Sequence, residues 1–388
     1  MKRILKYYFS LLTIILISST VAFAQPCKYG WNYRQEIKFN NPSSTLLSDF
    51  QVEFVLPTAS LVSNSKAQIN GSDIRIVDFD GNDLNFWIDD DTYNTSSTSF
   101  WVKMDSLASA DNTSVFVFYG KTGEISNSNG SATFEMFDDF NGSILSSKWS
   151  SCDSNNNNIT FSNGNLILGS SFGNNASIIS DSIFTDSEPV TVEMDLETIS
   201  NGKLFLGIES SSSGLGMSYN AYGGNSLMEL DSSSATNTAL CRSTISLANF
   251  PALNIIGTWS YSKFAGDSSY LSWPGGIYPN HKESKNLLGD HRIVLSSLNQ
   301  GLVNSSASID WVRARKYSST NITYTLESEI EVFDDIMISN TGPYCQGNEI
   351  SIVATNNPSA TYSWKKDGVD LPASLDSHRV VIPNATVD

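Results

Sequence analysis

The chain has 388 residues, a formal net charge of −17, and 16% charged against 11% aromatic residues. Nucleic acid binding needs clustered lysines and arginines to displace counterions, so this acidic composition excludes nucleic acid as a partner. At roughly 150 residues per domain the length predicts two or three domains, and short apolar runs between Ser-, Thr-, Asn- and Gly-rich connections predict an all-β fold.

Residues 1–24 have the pattern of a cleaved signal peptide. A basic start precedes a short apolar run, and Ala22-Phe23-Ala24 forms an A-x-A cleavage site. The apolar run is shorter than the about 20 residues that span a bilayer, and no later stretch is long or apolar enough. We therefore expect a secreted or cell-surface protein without a transmembrane segment, built of monomeric extracellular modules. A lipid anchor on Cys27 is the alternative, which Pro26 directly before it disfavours.

Residues 25–133 show repeated alternation of apolar and polar residues, as in the run Val52, Phe54 and Leu56. This period of two predicts the strands of a β-sandwich. The segment from Asp78 to Asp83 lies between two such runs and contains Asp-Gly, which predicts a hairpin turn.

Two acidic segments of this domain are candidate calcium sites, with solvated turns or loops as the alternative. Asp78 and Asp80 stand at alternate positions as in a calcium loop, although the glycine and the final glutamate of such a loop are not in register. Asp89 and Asp91 belong to a second acidic run. No other cofactor is predicted, because the three histidines are scattered and no C-x-x-C spacing supports zinc.

Five segments of this first domain together resemble an uncharacterised bacterial extracellular β-domain that commonly precedes concanavalin A-like modules. They are GWNYR (30–34), GSDIRIVD (71–78), FWI (86–88), SFWVK (99–103) and VFVFYG (115–120). The resemblance implies a β-sandwich and brings no known activity or catalytic residue.

Residues 134–330 are bracketed by two segments that resemble the terminal strands of concanavalin A-like lectin/glucanase jelly rolls of the LamG type. FDDFNGS (137–143), followed by Lys148-Trp149, resembles the first strand, and SIDWVRARKY (308–317) resembles the last. The resemblance implies two packed antiparallel sheets whose terminal strands lie side by side. It also implies that the concave sheet is the place for a glycan.

The segment VTVEMDLET (190–198) alternates apolar residues with Glu193, Asp195 and Glu197. A strand projects three such carboxylates from one face. Glu-x-Asp-x-Glu resembles the catalytic strand of retaining β-glucanases with this fold, which implies Glu193 as nucleophile, Asp195 as the residue that adjusts its ionisation, and Glu197 as acid/base. The alternative is an ordinary strand with a solvated polar face, which we favour.

Three aromatic residues are candidate glycan contacts, because sugar rings stack on exposed aromatic rings. Trp273 and Tyr278 lie in SWPGGIYPN (272–280), which its prolines and glycines predict to be a loop, and Tyr222 lies in a Gly-rich turn region. The alternative is that these rings pack on the rim of the core.

The chain has four cysteines, and an exported protein favours disulfides over free thiols. Cys152 and Cys241 lie in the same predicted domain and are the preferred pair. Residues 331–388, with Cys345 and Trp364, resemble the first half of an immunoglobulin-like module. Such a module needs about 100 residues, so this third domain is incomplete and Cys345 is expected to pair beyond residue 388.

Three functions remain open from the sequence. The favoured one is a non-catalytic binding or adhesion protein whose jelly roll binds an extracellular glycan or surface ligand. The second is a retaining glycoside hydrolase that uses Glu193 and Glu197, the one enzyme class that the motifs support. The third is a structural spacer that displays a distal module.

Overall fold

The computed structural model covers the first two predicted domains and short segments of the third. It describes residues 26, 28, 30–152, 158–170, 175–185, 189–200, 203–210, 214–220, 227–239, 244–251, 255–264, 268–282, 291–298, 304–332, 350–353, 364–366, 369–370 and 379–382. The predicted signal peptide, Cys27 and Cys345 lie outside these ranges, so the predictions made for them stay predictions. Within the described ranges no helix has the length and apolar character to cross a membrane.

The first domain is a sandwich of two antiparallel sheets, ordered β1-β6-β3 and β2-β5-β4. Its strands are β1 (Tyr33–Asn41), β2 (Leu47–Leu56), β3 (Arg75–Val77), β4 (Phe86–Ile88), β5 (Thr98–Leu107) and β6 (Asp111–Tyr119). Two short helices, α1 (Thr58–Ser63) and α2 (Gly130–Thr133), and a 3₁₀ turn (Asp90–Thr92) complete it. Because side chains alternate along a strand, Val52, Phe54 and Leu56 all point into the core between the sheets.

The second domain is a jelly roll of two larger antiparallel sheets. Its strands are β7 (Met136–Asp138), β8 (Trp149–Ser151), β9 (Ile159–Ser162), β10 (Asn165–Ser170), β11 (Ala176–Ser180), β12 (Val190–Ser200), β13 (Lys203–Glu209), β14 (Gly214–Asn220), β15 (Leu227–Ala239), β16 (Thr244–Pro251), β17 (Gly257–Lys263), β18 (Ser268–Trp273), β19 (Gly276–Lys282), β20 (Arg292–Leu298) and β21 (Ser305–Lys316). The front sheet has the order β19-β18-β17-β12-β21-β10-β9, and β7 also pairs with β21. The back sheet has the order β16-β15-β14-β13-β20-β11-β8.

The predicted neighbourhood of the two terminal strands of the jelly roll is confirmed. Met136 and Asp138 of β7 pair with Ala314 and Val312 of β21. Asp138 is a structural residue, because its carboxylate accepts hydrogen bonds from the Phe140 backbone and the Trp149 indole. The all-β class with successive sandwiches is likewise confirmed.

After the jelly roll the chain returns to the first domain. The strands β22 (Thr323–Leu326) and β23 (Ile330–Glu331) both pair with β1. Tyr119 donates a hydrogen bond to Glu329 at 2.6 Å, and Lys66 pairs with the same carboxylate. These residues fall in or next to the end of the range predicted for the jelly roll, so the first sheet is built from two separate parts of the chain.

The final described strands form two small antiparallel pairs. They are β24 (Ile350–Val353) with β27 (Arg379–Ile382), and β25 (Lys365–Lys366) with β26 (Val369–Asp370). The immunoglobulin-like domain stays a prediction.

The segment predicted as a loop around Trp273 is a hairpin instead. Strands β18 and β19 are joined by two residues, 274 and 275, and Trp273 pairs with Gly276. Pro279 lies inside β19, which the loop prediction did not allow. β19 is an edge strand of the front sheet, and an edge strand tolerates a residue that lacks the N–H group.

Candidate functional site

The outer face of the front sheet carries the three carboxylates singled out in the sequence. The apolar residues of β12, which are Val190, Val192, Met194 and Leu196, are buried in the jelly-roll core. The intervening Glu193 and Asp195 therefore project to the other face, and a register shift between Leu196 and Thr198 brings the Glu197 carboxylate close to that of Asp195. This outer face meets the first domain.

Glu193 is held in a buried ion pair with two arginines of the adjacent strand β21. Arg313 Nε donates to Glu193 Oε2 at 2.7 Å, and Arg315 Nη2 donates to Oε1 at 2.9 Å. Glu193 and Arg313 are each only 5% exposed. Burial alone would raise the pKa of Glu193, but the charges and hydrogen bonds of Arg315 and Arg313 outweigh it and lower the pKa to about 2.

Aromatic rings surround Arg313 at the junction of the two domains. Its guanidinium carbon lies 4.3 Å from the ring centre of Trp101 and 4.4 Å from that of Trp311. Trp87, Trp101, Phe134, Phe137 and Trp311 form one buried cluster. Gly130 allows the Phe137 ring to approach, because a Cβ atom there would lie 2.4 Å from it. We call this cluster, with Arg313, the junction.

The expectation of a solvated polar face on β12 is wrong for Glu193. The side chain is buried because the β2-β5-β4 sheet of the first domain covers the front sheet through the junction. The three carboxylates differ in exposure, since Asp195 is half-buried and Glu197 is exposed.

An acidic cluster forms where the 3₁₀ turn of the first domain meets β12 and β21. Carboxylate oxygens of Asp91, Asp195 and Glu197 lie within 4.8 Å of one another. Burial raises the pKa of Asp89 to about 6. The charge of Arg313 opposes this shift, whereas the charges of Asp91 and Asp195 add to it. Burial, followed by the charges of Asp91, Asp195, Glu197 and Asp89, raises the pKa of Asp310 to about 7.

This cluster brings one predicted metal candidate, Asp91, together with two residues predicted as catalytic, Asp195 and Glu197. Three convergent carboxylates are ligands that a hard cation such as Ca²⁺ accepts, so these residues could hold one. The alternative of a solvated loop holds for Asp90 and Asp91, which are exposed, whereas Asp89 is half-buried at the domain seam.

The other pair of metal candidates forms a turn. Asp78 accepts hydrogen bonds from the backbone and the side-chain amide of Asn82, both at 2.8 Å. The hairpin turn predicted here is confirmed by the bridge between Val77 and Asp83. Asp80 is exposed within that turn.

We expect the stability of the chain to fall as the pH rises from about 4 to about 8, through the acidic cluster. The folded state raises the pKa of Asp310 from its usual 3.8 to about 7, so folding favours the protonated acid. That stabilisation is fully present below pH 3.8 and is lost as the pH rises through about 7. The free energy of unfolding in urea should therefore differ less between pH 5 and pH 8 for Asp310→Asn than for the parent chain. Asp105→Asn, at an exposed position of β5, is the control; an equal change in both variants would contradict the assignment.

A groove of about 1040 Å³ runs between the two domains beside the Glu193 ion pair. Its floor is the outer face of the front sheet, which presents the hydroxyl groups of Thr258, Ser260, Ser262 and Ser272. Tyr270 and Tyr317 supply aromatic surface, and residues 318–324 also line the groove. The first domain contributes β2 from Phe50 to Glu53 and Trp101. This volume is at the upper end of the roughly 300–1,000 Å³ typical of ligand pockets.

Of the three aromatic residues predicted to bind ligand, only the Trp273 side chain is described. It packs against the jelly-roll core as a partly buried residue and lies over Gly276, where a Cβ atom would come within 2.7 Å of its ring. The expectation that Trp273 is exposed in a loop is therefore wrong, because the tight hairpin folds the ring back onto the sheet. The Tyr278 side chain and the whole of Tyr222 lie outside the described residues, and their role stays a prediction.

Cys152 is disulfide-bonded. Cys241 lies outside the described residues, so the predicted pairing of these two cysteines stays a prediction.

The two arginines that pair with Glu193 were not singled out in the sequence, although a signal for them was present. In SIDWVRARKY the residues Val312 and Ala314 alternate with Trp311, Arg313 and Arg315. Once Val312 and Ala314 belong to the core, the other three must face outward. That alternation would have placed two cations on the same face as the carboxylates of β12.

One family model matches part of the chain. Residues 70–152 match DUF2341, a domain of unknown function, so the chain contains such a domain. No curated protein matches the chain.

Solved structures that resemble the chain are jelly-roll proteins. One, from work on members of the human gut microbiota that express endo-acting O-glycanases to initiate mucin breakdown, has 12% identity, a TM-score of 0.36, and covers 47% of this chain and 98% of its own. LamAcat from Zobellia galactanivorans has 15% identity, a TM-score of 0.32, and covers 48% of this chain and 100% of its own. A β-1,3-glucanase from Mycobacterium marinum has 12% identity, a TM-score of 0.33, and covers 47% of this chain and 99% of its own.

Proposed function

We propose that the protein is a secreted or cell-surface glycan-binding protein that acts without catalysis, and that the interdomain groove is its binding site. The observation that carries this proposal is the lining of the groove. Hydroxyl groups of the front sheet lie beside the aromatic rings of Tyr270 and Tyr317. Sugars need both, because their hydroxyls form hydrogen bonds while their apolar faces stack on rings.

The state of Glu193 supports a non-catalytic role. Glu193 is 5% exposed and both of its carboxylate oxygens accept hydrogen bonds from arginines, so little of it is open to a sugar. Breaking a buried pair of this kind costs about 3–5 kcal/mol. The groove in the front sheet also favours a ligand-binding protein over a structural spacer, because a spacer needs no concave surface.

Binding is tested with hexasaccharides of several neutral linkages, namely cello-, laminari-, xylo-, manno- and chitohexaose, by isothermal titration calorimetry. We expect one of them to bind, and Tyr270→Ala to weaken that binding by about tenfold or more through the loss of ring stacking. Phe79→Ala, at a 42% exposed aromatic residue of the first domain outside the groove, is the matched control and should bind like the parent chain. Failure of every hexasaccharide to bind would refute the proposed function.

A retaining glycoside hydrolase is the second candidate, because the acidic cluster places Asp195 beside the presumed acid/base Glu197. The same hexasaccharides separate the two proposals. A hydrolase would release reducing ends at a rate that Glu197→Gln abolishes, whereas a binding protein leaves the hexasaccharide intact in both forms.

A further inference from the structure

We propose that the first domain forms a fixed wall across the front sheet, so that the groove binds the terminus of a neutral glycan chain and not its interior. This inference deepens the proposed function and rests on it. It gives the first domain, for which the sequence implied no activity, a share in the ligand site.

The wall follows from what covers the front sheet. The sheet continues from β18 and β17 through β12 to β21, and the groove follows it as far as Arg313 and Arg315 of β21. At β21 the outward side chains Trp311 and Arg313 are 3% and 5% exposed, because Trp87 and Trp101 of the first domain pack on them. A linear ligand lying along the groove across β18 and β17 therefore meets protein at the junction.

The wall is held by contacts that a mobile lid would lack. Gln51 of β2 donates a hydrogen bond to the Thr133 carbonyl at 3.1 Å and accepts one from the Lys316 backbone at 3.0 Å. Lys316 Nζ also binds the Ser48 carbonyl at 3.0 Å. Both ends of the jelly roll are connected to the first domain. The chain leaves the first domain through α2 and, after the jelly roll, returns to the first sheet of that domain as β22. The groove thus keeps its blocked end without ligand.

The charges at the blocked end favour a neutral ligand. The two arginines Arg313 and Arg315 balance the two carboxylates of Glu193 and Glu53, so the formal charge of this part of the lining is zero. Glu53 is an exposed residue of the wall, and its Oε1 accepts a hydrogen bond from Ser99 at 2.6 Å. The second carboxylate oxygen of Glu53 can accept a hydrogen bond from a hydroxyl group of a terminal sugar. The negative charge of Glu53 disfavours an acidic sugar at this position.

The first test changes the wall and leaves the sheet intact. With the hexasaccharide that binds the full chain, Glu53→Ala should weaken binding by about tenfold, because a hydrogen bond from a sugar hydroxyl to a charged group is lost. Asp105→Ala is the matched control, since Asp105 is another exposed acidic residue of the β2-β5-β4 sheet but does not line the groove. Equal binding by both variants would overturn the role of the wall while Tyr270→Ala still reports on the proposed function.

The second test distinguishes chain ends from chain interiors. Affinity for the hexasaccharide is compared with affinity for the soluble polymer of the same linkage, both expressed per chain end. Equal values per chain end support terminal recognition. Binding that instead follows the total sugar mass would overturn it, because an open cleft binds every internal stretch. If no hexasaccharide binds, the proposed function fails and this inference fails with it.

Discussion

Arg313→Ala is expected to lower the free energy of unfolding by about 3–5 kcal/mol, because it leaves the buried carboxylate of Glu193 without its closest partner. The side chain joins the two parts of the junction: it donates to Glu193 at 2.7 Å and its guanidinium lies on the rings of Trp101 and Trp311. Arg315, the second partner of the carboxylate, is more exposed and lies farther from the Trp101 ring, at 4.9 Å from its centre. Urea unfolding followed by tryptophan fluorescence measures the change.

The matched control is Lys38→Ala, which removes an ion pair with Glu327 whose side chains are 37% and 45% exposed. An exposed pair contributes at most about 1 kcal/mol, so this variant should unfold almost like the parent chain. Glu193→Gln alone should also lower the free energy of unfolding, because it leaves the buried guanidinium of Arg313 without its carboxylate partner. A similar small effect for Lys38→Ala and Arg313→Ala would show that the junction does not depend on the ion pair.

Acid unfolding gives a second measurement of the same ion pair. The folded state lowers the pKa of Glu193 from its usual 4.5 to about 2. Its contribution to stability is therefore present above pH 4.5 and is lost as the pH falls toward 2. Glu193→Gln should unfold with less pH dependence in this window than the parent chain.

Trp311→Ala is expected to cost about 3–5 kcal/mol and to uncouple the two domains. Trp311 is 3% exposed, and its ring packs at 72° against Trp87 with 5.7 Å between the ring centres. Alanine leaves a cavity between two sheets that belong to different domains, so neither domain can close it alone. Differential scanning calorimetry should show one transition for the parent chain and two for this variant, with the first at lower temperature.

Two variants test the specificity of that result. Trp311→Phe keeps part of the ring contact and should cost less than alanine. Ile144→Ala, at a residue that is 77% exposed, should change the free energy of unfolding by no more than about 0.5 kcal/mol. A single transition that is unchanged in Trp311→Ala would mean that the junction does not couple the domains.

Only part of the candidate site could be predicted from the sequence. Alternation along a strand is local, so the outward direction of Glu193 and Asp195 followed from the residues of β12 alone. The partners of Glu193 lie 120 and 122 positions away in the chain, and no local pattern specifies such a distance. The same holds for Asp91, which comes from the first domain and meets Glu197 across the domain seam.

Trp273 shows a different limit. Proline and glycine mark a change of chain direction, but they do not distinguish an open loop from a two-residue hairpin at a sheet edge. The distinction depends on whether β19 finds β18 as a partner, and that pairing is a property of the folded sheet.

The all-β class and the direction of side chains along each strand follow from neighbouring residues, because period-two patterning is local. The bracketing of the jelly roll by β7 and β21 came from the resemblance of FDDFNGS and SIDWVRARKY to the terminal strands of such modules. What the outward faces meet is a property of the folded chain. Packing between residues far apart in the chain produces the covering of β12 by the first domain, the ion pair of Glu193 and the closed end of the groove. The burial and the pKa of a side chain depend on the neighbours that this packing brings to it.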